Sequence, residues 1–112
     1  MVAIQPELDG RTVLVTGSAK RVGREVLLEL AAAGADVAVH YRTSETAAAE
    51  TAADARDLGV EAITVEGDVT EPEAVDSLFS DCESELGDVD ILVNAVGPLP
   101  QGWWDELSLD EW

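Results

Sequence analysis

Four short loops of this 112-residue chain carry residues whose types and spacing suit a phosphorylated ligand. The first is Thr16-Gly17-Ser18-Ala19-Lys20-Arg21-Val22-Gly23. It follows the apolar run Val13-Leu14-Val15 and leads into Val22, Val26, Leu27 and Leu30, whose spacing is helical. Strand, tight turn and helix gather backbone N–H groups and a helix N-terminus at one point, which favours an anion. Two glycines also frame ordinary strand-to-helix loops, so the turn alone leaves both readings open. A Walker phosphate loop is excluded, because Val22 stands where that motif needs glycine.

The second loop is Arg42-Thr43-Ser44. A ribose-binding acid belongs near this point in an NAD site, yet Arg42 stands there in a chain rich in acids. The six basic residues are Arg11, Lys20, Arg21, Arg24, Arg42 and Arg56. Three of them, Lys20, Arg21 and Arg42, fall on the two loops that would flank an adenosine ribose, which suits a 2′-phosphate and hence NADP over NAD. The competing reading is three solvated surface cations. The third loop is Gly67-Asp68-Val69, where Asp68 can accept from an adenine amino group or cap the chain before the next helix. The fourth, Asn94-Ala95-Val96-Gly97-Pro98, has small residues that let a ligand approach the backbone. His40, the single histidine, reads as a packed strand-end residue, and Cys82 as core. No side chain is assigned a catalytic or metal-ligating role.

The elements that must position these loops alternate. Strands are predicted at about Thr12–Thr16, Asp36–Tyr41, Ala62–Glu66 and Val89–Asn94. Helices are predicted from about Lys20 to Ala33, with Gly34 as terminator, and from an N-cap at Thr43 or Ser44 to Leu58-Gly59. A third follows Thr70-Glu71-Pro72-Glu73, a capping box with proline in the first turn, and buries Val75, Leu78, Phe79, Cys82 and Leu86 before Gly87. Four strands and three helices, with central strands apolar on both faces, predict an α/β fold with a doubly wound parallel, Rossmann-like sheet. Ligands of such a sheet sit at the carboxyl ends of its strands, where the four loops lie.

Composition narrows the partners. With 24 acidic and 6 basic residues the net charge is -18, which disfavours nucleic acid and anionic membranes. The acids are spread along the helices, as on the solvated surface of a halophilic protein, where salt relieves self-repulsion. An ordinary acidic cytoplasmic protein is the alternative. One cysteine and no leader-like N-terminus lead us to expect a cytoplasmic location.

Taken together, the loops resemble the short-chain dehydrogenase/reductase family. Thr16 to Gly23 is similar to its T-G-x-x-x-G-x-G motif, with Arg21 in place of the middle glycine. Asp68-Val69 resembles its adenine-contacting pair. Leu92-Val93-Asn94-Ala95-Val96-Gly97 resembles L-V-N-N-A-G, departing at Ala95 and Val96. Within the family, Arg21 and Val39-His40-Tyr41-Arg42 look like pteridine reductases, with 3-oxoacyl-carrier-protein reductases the other comparison. The resemblance implies NADP, with Gly17, Ser18, Val22 and Gly23 at the pyrophosphate and Lys20, Arg21, Arg42 and Ser44 around the 2′-phosphate. It places Asp68 and Val69 at the adenine, and Asn94, Ala95 and Gly97 toward the nicotinamide ribose.

The family's Tyr-x-x-x-Lys pair has no counterpart here. Tyr41 is the only tyrosine, Glu45 stands four residues later, and Lys20 is the only lysine. Ser108-Leu109-Asp110-Glu111 announces a helix just before Trp112, beside a cluster of tryptophans. Residues 1–112 are therefore expected to be the dinucleotide-binding part of a longer reductase of carbonyl or similar groups, inactive and poorly stable alone. The full-length protein is expected to take a small-molecule substrate and to form a homo-oligomer. The alternative is a non-catalytic nucleotide-binding module or an inactive fragment. A response-regulator receiver is set aside, because Val15-Thr16-Gly17 lacks the acidic pair it needs after the first strand.

Overall fold

Strand β1 (Thr12–Thr16) is buried over all five residues, which places it inside the sheet with both faces covered. The structure is a computed structural model and describes residues 7–95. The elements follow as α1 (Arg21–Ala32), β2 (Asp36–Tyr41), α2 (Glu45–Asp57), β3 (Ala62–Glu66), α3 (Pro72–Leu86) and β4 (Ile91–Asn94). The sheet is parallel throughout, in the order β3-β2-β1-β4. Val13 is level with Val37 on one side and Ile91 on the other, so the side chains of adjacent strands fall into shared rows.

Those rows make two cores. On one face Val13, Val15, Val37 and Val39 meet Leu27 and Ala31 of α1 and Ala48, Ala52 and Ala55 of α2. Residues four apart on each helix turn the same way, and alanine lets α2 lie close to the strands. On the other face Leu14, Ala38 and Val65 meet Leu78 and Cys82 of α3. Leu14, Leu27 and Leu78 are almost wholly buried, each contributing about 1.5–3 kcal/mol of transfer free energy. Leu92 of β4 is 52% exposed among the described residues. No helix among those residues is long and apolar enough to cross a membrane.

The parallel Rossmann-like sheet with four strands and three helices agrees with the expectation, and the boundaries of β1, β2 and β3 coincide with the sequence reading. Two details differ. Strand β4 starts at Ile91, because Asp90 is already used as a clasp: its carboxylate accepts the Thr12 N–H at 2.9 Å. The capping box before α3 does not form. Glu71 is the N-cap, without a side-chain cap bond, while the Thr70 hydroxyl donates to Asp68 at 2.6 Å. Pro72 opens α3 as expected, since its missing N–H is one that no helix start can satisfy. Val96, Gly97, the tryptophans and Ser108–Glu111 lie outside the described residues.

Candidate functional site

The carboxyl ends of β1, β2 and β3 surround a hollow of about 350 Å³ lined by Gly17, His40, Arg42, Gly67, Asp68, Val69 and Thr70. Two other hollows of comparable size lie at the opposite, amino-terminal edge of the strands and beside Arg56 and Leu86. Neither touches the four loops singled out by sequence.

Gly17 and Gly23 build the turn. Gly17 has φ +65°, a left-handed conformation that glycine adopts without penalty. A Cβ on Gly23 would collide with the Gly17 carbonyl oxygen, so only glycine lets α1 start this close to the turn. Arg21, in the position of the expected middle glycine, is the only described non-glycine residue with positive φ, at 58°. The backbone keeps a glycine-like conformation and an arginine bears it, at a strain of about 1–2 kcal/mol.

Helix α1 starts unsatisfied. Lys20 is its N-cap and supplies no side-chain bond, and its first turn carries no acid. By contrast α2 and α3 open with Glu45 and Glu73. The N–H groups of the first turn, with the helix dipole behind them, suit an anion. Lys20 and Arg21 are exposed beside it, and Val22 is 73% exposed.

Ser18 is fully buried, with its polar groups bonded to neighbouring backbone. Its hydroxyl donates to Val15 O at 2.6 Å and accepts the His40 N–H at 3.1 Å, and its own N–H donates to His40 O at 3.1 Å. Ser18 therefore ties the turn to β2. Ser44 is half-buried at the N-cap of α2 and makes no side-chain cap bond.

Arg42 and Asp68 face one another, with guanidinium and carboxylate 3.6 Å apart. Asp68 Oδ1 also accepts the Thr70 N–H at 2.9 Å and the Thr70 hydroxyl. Those two bonds, and then the Arg42 charge, hold its carboxyl below the ordinary value. Oδ1 therefore fixes the turn before α3, one of the two sequence readings, while Oδ2 is paired with Arg42. At the end of β4 the Thr16 hydroxyl donates to Asn94 Oδ1 at 2.7 Å and accepts the Ala95 N–H at 3.0 Å. Asn94 and Ala95 are thus set beside the glycine turn, as the loop order requires.

Three positioning residues escaped the sequence reading. Thr16 anchors Asn94. Thr51 is fully buried on α2, donates to Ala19 O at 2.8 Å and accepts from Arg24 at 2.9 Å, holding the glycine turn from the side. Its signal was a lone polar residue in an alanine stripe. His40 is packed as expected, but it also bridges two loops: Nδ1 accepts the Gly17 N–H at 2.8 Å and Nε2 lies 2.7 Å from Gly67 O.

The family model described as short chain dehydrogenase matches residues 11–112. Among curated relatives, 3beta-hydroxysteroid dehydrogenase 1 of Eggerthella lenta is 38% identical over 95% of this chain and 41% of its own length. L-rhamnose 1-dehydrogenase (NAD(P)(+)) of a Sphingomonas species is also 38% identical, over 92% of this chain and 41% of its own. Among solved structures, landomycin C-6 ketoreductase LanV with bound NADP and rabelomycin superposes with a TM-score of 0.78 at 38% identity, covering 95% of this chain and 46% of LanV. The chain spans about two-fifths of the length of these curated relatives.

Proposed function

The chain belongs to the short-chain dehydrogenase family, and on that premise we propose that it binds NADP(H) as the cofactor-holding part of an oxidoreductase. One observation carries this reading. In a chain of net charge -18, the first turn of α1 is uncapped and free of acids, with Lys20, Arg21 and Arg42 on the loops around the turn. The donor set fits the group: helix N–H groups for a pyrophosphate, two arginines and a lysine for a 2′-phosphate, and Asp68 Oδ2 for an adenine amino group. The NADP bound to LanV points the same way.

When bound, the cofactor supplies or accepts a hydride at its nicotinamide, opposite a carbonyl or similar group. The residues of this chain bind and orient. The turn from Gly17 to Gly23 would bring backbone N–H groups to the phosphates, Arg42 would exchange Asp68 for the 2′-phosphate, and Asn94, held by Thr16, would lie toward the nicotinamide end. Proton transfer falls to residues this chain does not supply. Tyr41 lies on β2 with its hydroxyl held above its ordinary value by burial and by Glu45 and Glu66, and no lysine follows four residues on. The 112-residue chain alone binds without turning over.

The test is titration calorimetry with NADPH and NADH in high salt. NADPH should bind more tightly. Arg42→Ala should remove about 1.5–3 kcal/mol, the worth of a charged hydrogen bond, from NADPH alone. Equal affinity for both dinucleotides would overturn the 2′-phosphate assignment.

A further inference from the structure

His40 is a histidine that the binding reading does not use, yet it touches both walls of the site. It is 2% exposed. Nδ1 accepts the Gly17 N–H at 2.8 Å, and Nε2 stands 2.7 Å from the Gly67 carbonyl oxygen. An acceptor at one nitrogen and a donor at the other define a neutral ring that carries its proton on Nε2. Gly17 begins the phosphate turn after β1, and Gly67 immediately precedes Asp68 after β3. One ring therefore joins two ligand loops that are 50 residues apart.

We propose that His40 is a proton-sensitive positioning residue, whose neutral ring clasps the Gly17 turn to the Gly67–Asp68 loop and so sets the pH range in which the chain takes up NADP(H). The second half of this statement rests on the binding reading above.

A second proton would arrive on Nδ1, directly opposite the Gly17 N–H. Acceptor would become donor, and the bond would turn into a repulsive contact between two N–H groups in a buried place. The bond from Nε2 to Gly67 would remain, so the Gly17 turn is the part released. Gly17 and Ser18 on the β1 side are uncharged. Arg42 and Asp68 line the same hollow but are paired with each other. On α3, which covers this face of the sheet, the acidic side chains are exposed and Cys82 is the one buried titratable group. Tyr41 and Glu66, level with each other in the sheet, alternate to the opposite face from His40, as does Glu45 at the start of α2.

The experiment uses the full chain labelled with ¹⁵N. The ring nitrogens of His40 and the amide signals of Gly17 and Gly67 are followed from about pH 8 to about pH 5, the range in which imidazoles change charge. NADP+ affinity is measured over the same range. At high pH the ring should show an unprotonated Nδ1, and the Gly17 amide should shift in step with ring protonation. Affinity should fall by about tenfold per pH unit on the acid side, the slope of one linked proton. The 2′-phosphate also gains a proton near pH 6, so His40→Gln sets the baseline. It offers an acceptor and a donor but does not titrate in this range, and its affinity should follow the ligand's own protonation only.

A Gly17 amide that ignores the ring, or a ring protonated on Nδ1 at pH 8, would overturn the clasp. Identical affinity profiles for the wild type and His40→Gln would overturn its link to the cofactor. Amides that follow the ring in a chain that binds no NADP+ at any pH would overturn the binding reading and leave the clasp standing. The wild-type amide titration decides the clasp even where His40→Gln fails to fold.

Discussion

The Arg42 guanidinium lies 3.6 Å from the Asp68 carboxylate, so the ends of β2 and β3 are joined by two residues proposed for different parts of one ligand. The pair is partly exposed and contributes little by itself. Asp68 is held below its ordinary value of 3.8 chiefly by its bonds from Thr70. A carboxyl whose folded-state value is depressed stabilises the fold above its unfolded value and loses that contribution as pH falls through the folded one. Thermal melts between about pH 5 and pH 2 should therefore show a loss of stability below pH 4 that Asp68→Asn reduces. An unchanged acid limb in the variant would count against this role.

Gly23→Ala should damage fold and binding together. A Cβ there would run into the Gly17–Ser18 backbone, where no flexible side chain can yield. Overpacking of this kind costs about 1–3 kcal/mol, and the turn that gives way is the one offered to the pyrophosphate. Denaturant melts and NADPH titration on the same sample would read both losses. A folded variant with native affinity would contradict the proposed packing.

Arg21→Gly should separate the two. Glycine adopts φ near +58° freely, but it also has more freedom to lose from the unfolded chain, so the variant should show a net gain of up to about 1 kcal/mol in a urea melt. It should also lose NADPH affinity with little change toward NADH. A variant that is less stable than the wild type would show that Arg21 makes stabilising contacts beyond its backbone.

How much of this could be read in advance depends on where each residue's partners lie. The boundaries of β1, β2 and β3 were legible because valine, leucine and alternating turn residues are local signals, and all three strands end at glycine or polar loops. The order of the loops, and with it the clustering of Gly17, Arg42, Asp68 and Asn94, followed from parallel topology. What failed was choice among local partners. Thr70 could bond a helix N–H or Asp68, and it takes Asp68 because the Gly67 turn brings that carboxylate within 2.6 Å. The bonds that Ser18 and His40 make are not legible in the sequence for a related reason. Their partners are 22 to 27 residues away, and no spacing rule announces a bond that only the β1–β2–β3 register creates.

Cys82 should resist alkylation in the folded chain. Burial, and then Glu83 and Glu85, push its thiol up to about 11 from 9.0. The fold keeps the proton that the unfolded chain gives up, so this contribution is complete below pH 9 and is lost as pH rises through 11. Maleimide labelling at neutral pH should be slow until denaturant unfolds the chain, then fast. Rapid native labelling would mean that α3 opens locally.

Salt should raise the melting temperature. A net charge of -18 sits on 112 residues, and the acids of α2 and α3 are mostly exposed. The screening length falls from about 10 Å at 0.1 M to about 3 Å at 1 M, which removes most repulsion between exposed acids. A melting temperature that is flat from low to molar sodium chloride would sink the halophilic reading.

The sheet order has a consequence for how the chain is made. Among the described strands, β1 is the first to leave the ribosome and lies inside the sheet, and its neighbour β4 is the last to appear. The Thr16–Asn94 bond joins residues 78 positions apart. A nascent chain can pair β1 with β2 and β3 early, but one edge of β1 must wait, unpaired and apolar, until β4 is synthesised. Non-local pairing of this kind is slow and exposes an adhesive strand edge in the interval. The acidic surface repels other nascent copies during that interval, so the charge that strains the finished fold protects it while it is incomplete.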